Sequence, residues 1–414
     1  MVEPPRTYGW RSGTILAIAF IAFAAGFGSF GAIAALGNVA KTFGHVAQHA
    51  NVAELGGLSG SVLGIGLAVL RGASLLAMPL AILADRAGRR RTMLGYCALG
   101  LCCTVVAAVS PSYWWFVAIF AVGRPLYTAA SSIAQVAAAE LTSTATRAAA
   151  LALVIAGTGL GSGAAGLLHT TLSQPGGFRL EFALAIVPLV GVALVARVVV
   201  EPPRWVAADH HAHAVLGRVE QAQVRRLVIV VGLTFAASFA SGPATGFLFV
   251  YADNVVKLGQ GLEASMIAVA GVTGFVGLLI GRWGADRLGR RPMIAGSVVA
   301  VLCFAVLAYS GTKVALVLGY AALVAAAGAL APAGTAFANE LFPTKVRAAV
   351  AGWNIAAGVI GGMAGSLAFG FLVDWSGSFA VAAACTFLPP GLVLLALRHL
   401  PETAGREPEE LWAA

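Results

Sequence analysis

The 414-residue sequence predicts an all-α membrane protein: twelve transmembrane helices in two pseudo-symmetric six-helix bundles. Three observations carry that reading. The chain is 59% hydrophobic and 10% charged, where a soluble domain carries roughly 25% charged residues. Apolar runs long enough to cross a bilayer, about 20 residues each, recur at 12–36, 57–84, 92–110, 114–139, 148–172, 180–200, 227–251, 262–285, 292–311, 314–339, 348–374 and 378–400. The charged heptapeptide Ala-Asp-Arg-x-Gly-Arg-Arg occurs twice, at Asp85 and Asp286, 201 residues apart (286 − 85), each time at the end of an apolar run.

The runs are continuous, so they read as helices rather than as the alternating segments of about 10 residues that build outer-membrane barrels. The first run is too long for a cleaved leader and lacks a small-residue cleavage site. The net charge of +9 does not mark nucleic-acid binding. With both termini placed in the cytoplasm, 20 of the 26 Lys and Arg fall on the inner side. Lys41, Arg179, Lys257 and Lys313 fall outside, and Arg71 and Arg124 lie within spans. That asymmetry is the positive-inside rule. Cys97, Cys102, Cys103, Cys303 and Cys385 all lie in apolar runs without metal-ligand spacing and read as packing residues.

The heptapeptide is one of three repeated sites. "AELTSTATR" (Glu140, Arg147) matches "NELFPTKVR" (Glu340, Arg347) at an offset of 200, and "ARVVVEPPRW" (Arg197, Glu201) matches "LRHLPETAGR" (Arg398, Glu402) at 201. One six-helix unit is therefore used twice: residues 1–200 and 227–414, joined by a polar linker at 201–226. His210, His211 and His213 in that linker read as solvated residues rather than as a metal site. Two parallel repeats can rock about a site between them, opening to one side at a time.

On these residues the chain resembles the major facilitator superfamily over essentially its whole length. "EPPRW", "NELFPTKVR" and "PETAGREPEEL" are similar to the sugar-porter branch, and "VRAAVAGWNIAAGVIGG" to relatives that carry organic cations, aromatic acids and other metabolites. The resemblance implies a conformational latch at the inner rim. Asp85 and Arg89 hold one half against the other, Asp286 and Arg290 do the mirror task, and Glu140, Arg147, Glu340 and Arg347 complete the network. Pairs of about 0–1 kcal/mol each, the worth of exposed ion pairs, suit a latch that opens on every cycle. The chain departs from the family pattern where "ELTSTATR" lacks the Pro-Thr of the second copy, and where Ala81 and Arg282 stand at a usual glycine.

Charges within spans are costly and point to function. Arg71 lies 14 residues before Asp85 and Arg124 16 before Glu140, roughly 21 and 24 Å along their helices. With no acid placed to pair with them, they point to an anionic solute; bonding to backbone carbonyls or snorkelling outward is the competing reading. Tyr127 and Gln135 follow Arg124 near one helix face and are the expected hydrogen-bonding neighbours. The first helix reads "AGFGSFGA" over 25–32, without an acid, and Asp253 and Asp374 fall at outer helix ends. Proton coupling is implied by the resemblance only. Glycines in the first, fifth and eleventh runs mark helices expected to approach closely and slide.

The function expected is secondary transport of a small organic solute, an anionic metabolite among the candidates, by a monomer in the cell membrane. Efflux of drugs or secondary metabolites on the same fold is the alternative. A sensor lacks an output domain. No nucleophile–base or metal-ligand set supports an enzyme, no cofactor is expected, and no phosphate-binding loop supports ATP drive.

Overall fold

The computed structural model describes residues 8–44, 54–55, 57–172, 174, 176–202 and 221–405. The linker segment 203–220, with its three histidines, lies outside the described residues. In chain order the helices are α1 (Gly13–Ala34), α2 (Leu36–Phe43), α3 (Gly60–Ala73), α4 (Ala77–Ala87), α5 (Arg89–Ala107), α6 (Tyr113–Leu141), α7 (Thr144–Thr171), α8 (Phe178–Ala183) and α9 (Ile186–Val195). They continue as α10 (Gln221–Gly246), α11 (Leu248–Tyr251), α12 (Gln260–Arg287), α13 (Arg290–Ala308), α14 (Lys313–Leu341), α15 (Thr344–Ser376), α16 (Phe379–Phe387) and α17 (Leu394–Leu397). A two-residue hairpin pairs Glu54–Leu55 with Leu58–Ser59 just before α3.

The solvent these helices expect is lipid. Trp375, Leu160 and Leu392 are exposed, while His169, Glu181 and Glu263 are buried. A water-soluble fold would reverse that arrangement. Eleven of the described helical segments are long and apolar enough to cross a membrane. The helix Arg89–Ala107 is not among them, because Arg89, Arg90 and Arg91 occupy its first turn. Side-chain hydroxyls start several helices: Ser112 accepts from the Trp115 N–H (3.4 Å) and, 200 positions on, Thr312 accepts from Ala315 (3.1 Å).

By contacts the chain forms two compact units. One is Met1–Phe43 with Ala73–His213; the other is Gly44–Gly72 with Ala214–Ala414. In the first, α1 packs along α7 and α5 along α6; in the second, α10 packs along α15 and α13 along α14. These two pairings match across the repeat. So does the packing chemistry. A Cβ on Gly161 of α7 would lie 1.9 Å from the Phe23 carbonyl of α1, and one on Gly365 of α15 would lie 1.9 Å from the Phe239 carbonyl of α10. Backbone meets backbone at these points. The glycines of α1 and α7 therefore fix helices within a unit in touching register, where the sequence suggested sliding surfaces.

Gly161 and its neighbour Gly159 make a controlled comparison, since a Cβ on Gly159 meets nothing within 4 Å. Gly161→Ala is expected to cost about 1–3 kcal/mol, the usual range for overpacking, and to lower the thermal unfolding midpoint in detergent. Gly159→Ala is expected to leave it unchanged or raise it, because Ala is the better helix former. Equal midpoints for the two variants would contradict the backbone-contact account.

Candidate functional site

The charged ends of the two units are built alike. Each heptapeptide closes on a glycine in a conformation that side chains resist: Gly88 has φ 101° and Gly289 has φ 105°. The helix that follows, α5 or α13, starts without a side-chain cap of its own, so its first N–H groups need a partner. A glutamate supplies it from 112 residues away. Glu201 accepts from the backbone N–H groups of Arg89 and of Arg90 (3.1 and 3.2 Å). Glu402 accepts from those of Arg290 (2.8 Å) and Arg291 (3.0 Å). A Cβ on either glycine would stand 3.0 Å from the capping carboxylate, a tight contact that adds to the constraint set by φ.

The arginine that follows each glycine reaches the next helix. Arg89 Nε pairs with Glu140 at 3.0 Å. Arg290 pairs with Glu340 at 3.1 Å and with Asp286 at 2.7 Å, an i,i+4 pair on an exposed carboxylate. The Thr403 hydroxyl also donates to Glu340. Arg90 is tied to the end of the sixth run, donating to the carbonyls of Val199 (2.7 Å) and Ala196 (2.9 Å). Of the residues expected in this network, Arg89 meets Glu140, and Arg290 meets Asp286 and Glu340, each within one unit. Arg147 is half-buried and pairs with no described carboxylate. Arg347 donates to the Phe342 carbonyl at 3.0 Å. The Asp85 side chain is not among the described groups, although its place in the last turn of α4 is.

Glu201 and Glu402 carry a role that the sequence reading left unassigned. Their signal was present: the same 201-residue offset as the heptapeptides, paired with two helix starts that lack Ser, Thr or Asp. Burial acts to raise the Glu402 carboxyl, but the N–H groups of Ala404, Arg290, Arg291 and Thr403 outweigh it and hold its pKa below the usual range.

Deeper in the chain, Arg124 is half-buried on α6 and donates from Nε to the Ser74 hydroxyl at 3.1 Å. Among the described residues no carboxylate comes within ion-pair distance of it. Tyr127 turns away into the first unit. It is fully buried, its ring lies against Gly28 and Gly100, and its hydroxyl bonds Thr104 at 2.7 Å. Gln135 is half-buried. Of Arg124's expected neighbours, neither Tyr127 nor Gln135 is bonded to it; Ser74, which the sequence reading did not single out, is. Arg71 belongs to the second unit and donates to the Gly242 carbonyl of α10 at 2.7 Å and to the Thr245 hydroxyl at 3.5 Å. Backbone bonding is thus among the interactions that Arg71 makes.

The second unit also holds a cavity of about 400 Å³ between α10, α13, α14 and α15. Its walls are apolar apart from Thr234, Ser238, Thr335, Asn354 and Arg347, and Thr234 and Asn354 bond at 3.1 Å. The first unit holds a buried pair, His169 and Glu181, at 3.2 Å. Both residues, like the buried Glu263, sit at helix ends where the sequence reading placed only Asp253 and Asp374. A single acid at the edge of an apolar run gives no periodic signal of which way it faces.

The depressed Glu402 carboxyl has a pH consequence. A group whose native pKa lies below its unfolded value, about 4.3 for Glu, stabilises fully above that value and loses its contribution as pH falls through the native one. Glu402→Gln is expected to cost about 0.5–2 kcal/mol, the range for a lost cap. In thermal unfolding scans from pH 7 to pH 3, the gap between native protein and variant should stay constant above about pH 5 and close below the ordinary Glu range. A gap that widens on acidification would contradict the capping role.

The comparisons with known proteins agree with this architecture. The family model described as Major Facilitator Superfamily matches residues 18–326 and 266–413. The chain is 26% identical over 336 residues to the gentisate transporter of Corynebacterium glutamicum, covering 77% of this chain and 74% of that one. It is 22% identical over 374 residues to the glucose transporter GlcP of Staphylococcus epidermidis, covering 80% and 83%. Among solved structures, the inward-open xylose transporter XylE of E. coli superimposes with a TM-score of 0.75 at 18% identity, over 96% of this chain and 98% of that one. At that identity the likeness speaks for the fold alone. A match spanning nearly the whole chain, on a multi-helix fold shared end to end with a solved transporter, makes this chain a member of the Major Facilitator Superfamily, a family of membrane transporters and not of enzymes.

Proposed function

We propose that the chain is a secondary active transporter that moves a small organic anion across the cell membrane by alternating access, coupled to an ion gradient. The observation that carries the substrate class is Arg124. A guanidinium inside an apolar span is expensive to keep, and this one meets a hydroxyl and no described carboxylate. A solute carboxylate supplies the missing charge and matches the planar fork of the guanidinium in a bidentate pair. The name of the gentisate transporter, an aromatic-acid carrier 26% identical to this chain, supports the same class.

In this reading Arg89–Ala107 is the twelfth spanning helix, its three arginines held at the membrane surface. The twelve form two six-helix halves, residues 1–200 and 227–414, with both termini cytoplasmic. The inner rim then carries Arg89–Glu140 and Arg290–Glu340–Asp286 as rigid brackets. Asp85, Arg147 and Arg347 join them to latch the halves when the inner side is shut. Such pairs form in one state and break in the other, as a switching element must. Gln135 contributes from the same helix as Arg124, and a single chain suffices for the cycle.

Uptake of labelled gentisate, glucose and an organic cation into proteoliposomes, with and without an imposed pH gradient, tests the proposal. Gentisate should be taken up, and the other two should not compete. Arg124→Ala should lose affinity by about 30-fold or more, since truncating a desolvated charged partner costs about 2–5 kcal/mol. Arg124→Lys should fall between, with folding of both checked by circular dichroism. Unchanged affinity in a folded Arg124→Ala protein would remove the anion reading. For the rim, Asp286→Asn should slow uptake while leaving equilibrium binding within about twofold, the change expected for an exposed pair worth under 1 kcal/mol. A large loss of affinity with normal turnover would refute its part in the latch.

A further inference from the structure

The first heptapeptide is followed by one arginine more than the second. Arg91 comes directly after it, and Pro292 stands at the matching place 201 residues on (292 − 91). The caps and brackets described above use Arg89 and Arg90 and leave Arg91 without a task. Its side chain is exposed, and among the described residues it pairs with no carboxylate. Arg197, one residue past the Ala196 cap of α9, is likewise exposed and pairs with no described carboxylate. The two lie at one end of the first unit, because Arg90 donates to the carbonyls of Ala196 (2.9 Å) and Val199 (2.7 Å). The carboxylates at this end are already engaged: Glu140 by Arg89, and Glu201 by the N–H groups of Arg89 and Arg90.

Both arginines stand at the foot of an apolar groove of about 400 Å³ between α5 and α9. Leu94, Gly95 and Ala98 form one wall, at three, four and seven residues from Arg91, so all four share a helix face. Leu189, Ala193 and Ala196 form the other, and Arg197 follows. Seven residues along each wall make the groove about 10 Å long, which falls within one leaflet of a hydrocarbon core about 30 Å thick. Gly95 opens it. A Cβ there meets nothing within 4 Å, so this glycine serves no close helix contact. Leu99, Val190 and Leu194 around it are more than half exposed, so the groove faces acyl chains rather than the interior of the bundle.

We propose that this groove is a site for an anionic phospholipid: one acyl chain lies along Gly95 and Ala193, and the phosphate sits between Arg91 and Arg197. Any outward groove of a spanning bundle is filled by lipid. The two cations at the foot of this one select a lipid with net negative charge. A guanidinium presents parallel N–H donors that match a phosphate. The phosphate of phosphatidylglycerol has no headgroup cation to offset its charge, whereas that of phosphatidylcholine does. The bound lipid joins α5 to the end of α9, which Arg90 already links through the Ala196 carbonyl. It therefore braces the helix that carries the Arg89–Glu140 pair. The second unit keeps the glycine, as Gly296, but with Pro292 in place of Arg91 it lacks the second cation. Sensitivity to membrane charge is thus a property of the first unit.

The test titrates full-length protein in detergent with dioleoylphosphatidylglycerol, with phosphatidylcholine of the same chains, and with inorganic phosphate. It reads the thermal unfolding midpoint and the lipid retained in native mass spectra. Phosphatidylglycerol should raise the midpoint saturably, with one molecule per chain retained most tightly, and the other two probes should bind about tenfold more weakly or worse. Arg91→Gln and Arg197→Gln should each weaken it about fivefold, the worth of one basic side chain at an anionic membrane surface. Gly95→Leu should weaken it by filling the groove with both charges intact, and its Cβ enters open space, so the fold is kept. Arg398→Gln, at the matching exposed arginine of the second unit, is the control and should leave the affinity unchanged. Equal loss in all three arginine variants, Arg398→Gln included, overturns the site in favour of diffuse surface charge. Equal binding of phosphatidylcholine overturns selection by the two arginines, and equal stabilisation by inorganic phosphate overturns the lipid. Unchanged affinity in Gly95→Leu overturns the acyl-chain groove. None of these outcomes bears on the solute, so the transport reading is decided separately.

Discussion

Two helices in this protein begin on a glycine, inside a cluster of arginines, with no cap of their own, and each is closed by a glutamate 112 residues further along. Much of the charged architecture follows from that constraint. A side chain in place of the glycine would be strained at its positive φ, and its Cβ would sit close against the carboxylate. The carboxylate pins the end of the sixth or twelfth apolar run to the start of α5 or α13. The arginine backbone, once fixed, aims its side chain at Glu140 or Glu340. A charged group at a membrane surface can be stable while still reaching water, so these clusters tolerate charge that the spans themselves cannot.

The same logic separates the two internal arginines. Arg71 has found a backbone carbonyl beside Pro243, in a helix that ends four residues later at Gly246. Arg124 has found a hydroxyl in the 3₁₀ turn that breaks the second run. Both therefore touch places where helices are interrupted, which is where spanning helices have polar groups to offer. Among the described residues no carboxylate comes within ion-pair distance of Arg124.

Much of this was legible in the sequence because it is periodic or repeated. The apolar runs gave the helices, and offsets of 200 and 201 gave the matching charged sites. Where length and charge compete the reading was less complete: Arg89–Ala107 is a run like the others, shortened in apolar character by Arg89, Arg90 and Arg91. The sequence could not show that Gly60–Ala73 would pack with the later part of the chain, because a glycine seam has no side-chain pattern to match against its partner. Tyr127 shares a helix face with Arg124 by spacing alone. The space left by Gly28 and Gly100 draws its ring into the bundle instead, and Thr104 completes its hydroxyl. Glu181 and Glu263 were missed for a related reason: a lone acid beside an apolar run is read as solvated, whereas both are buried, Glu181 against His169.

In the proposed function a negative charge on the solute is what Arg124 recognises. Isothermal titration of the purified protein with gentisate and with its neutral carboxamide tests this most directly, because the two differ in charge and little in shape. The account predicts that the carboxylate binds at least about 30-fold more tightly, the equivalent of about 2 kcal/mol. Equal affinity for the acid and the amide would contradict it.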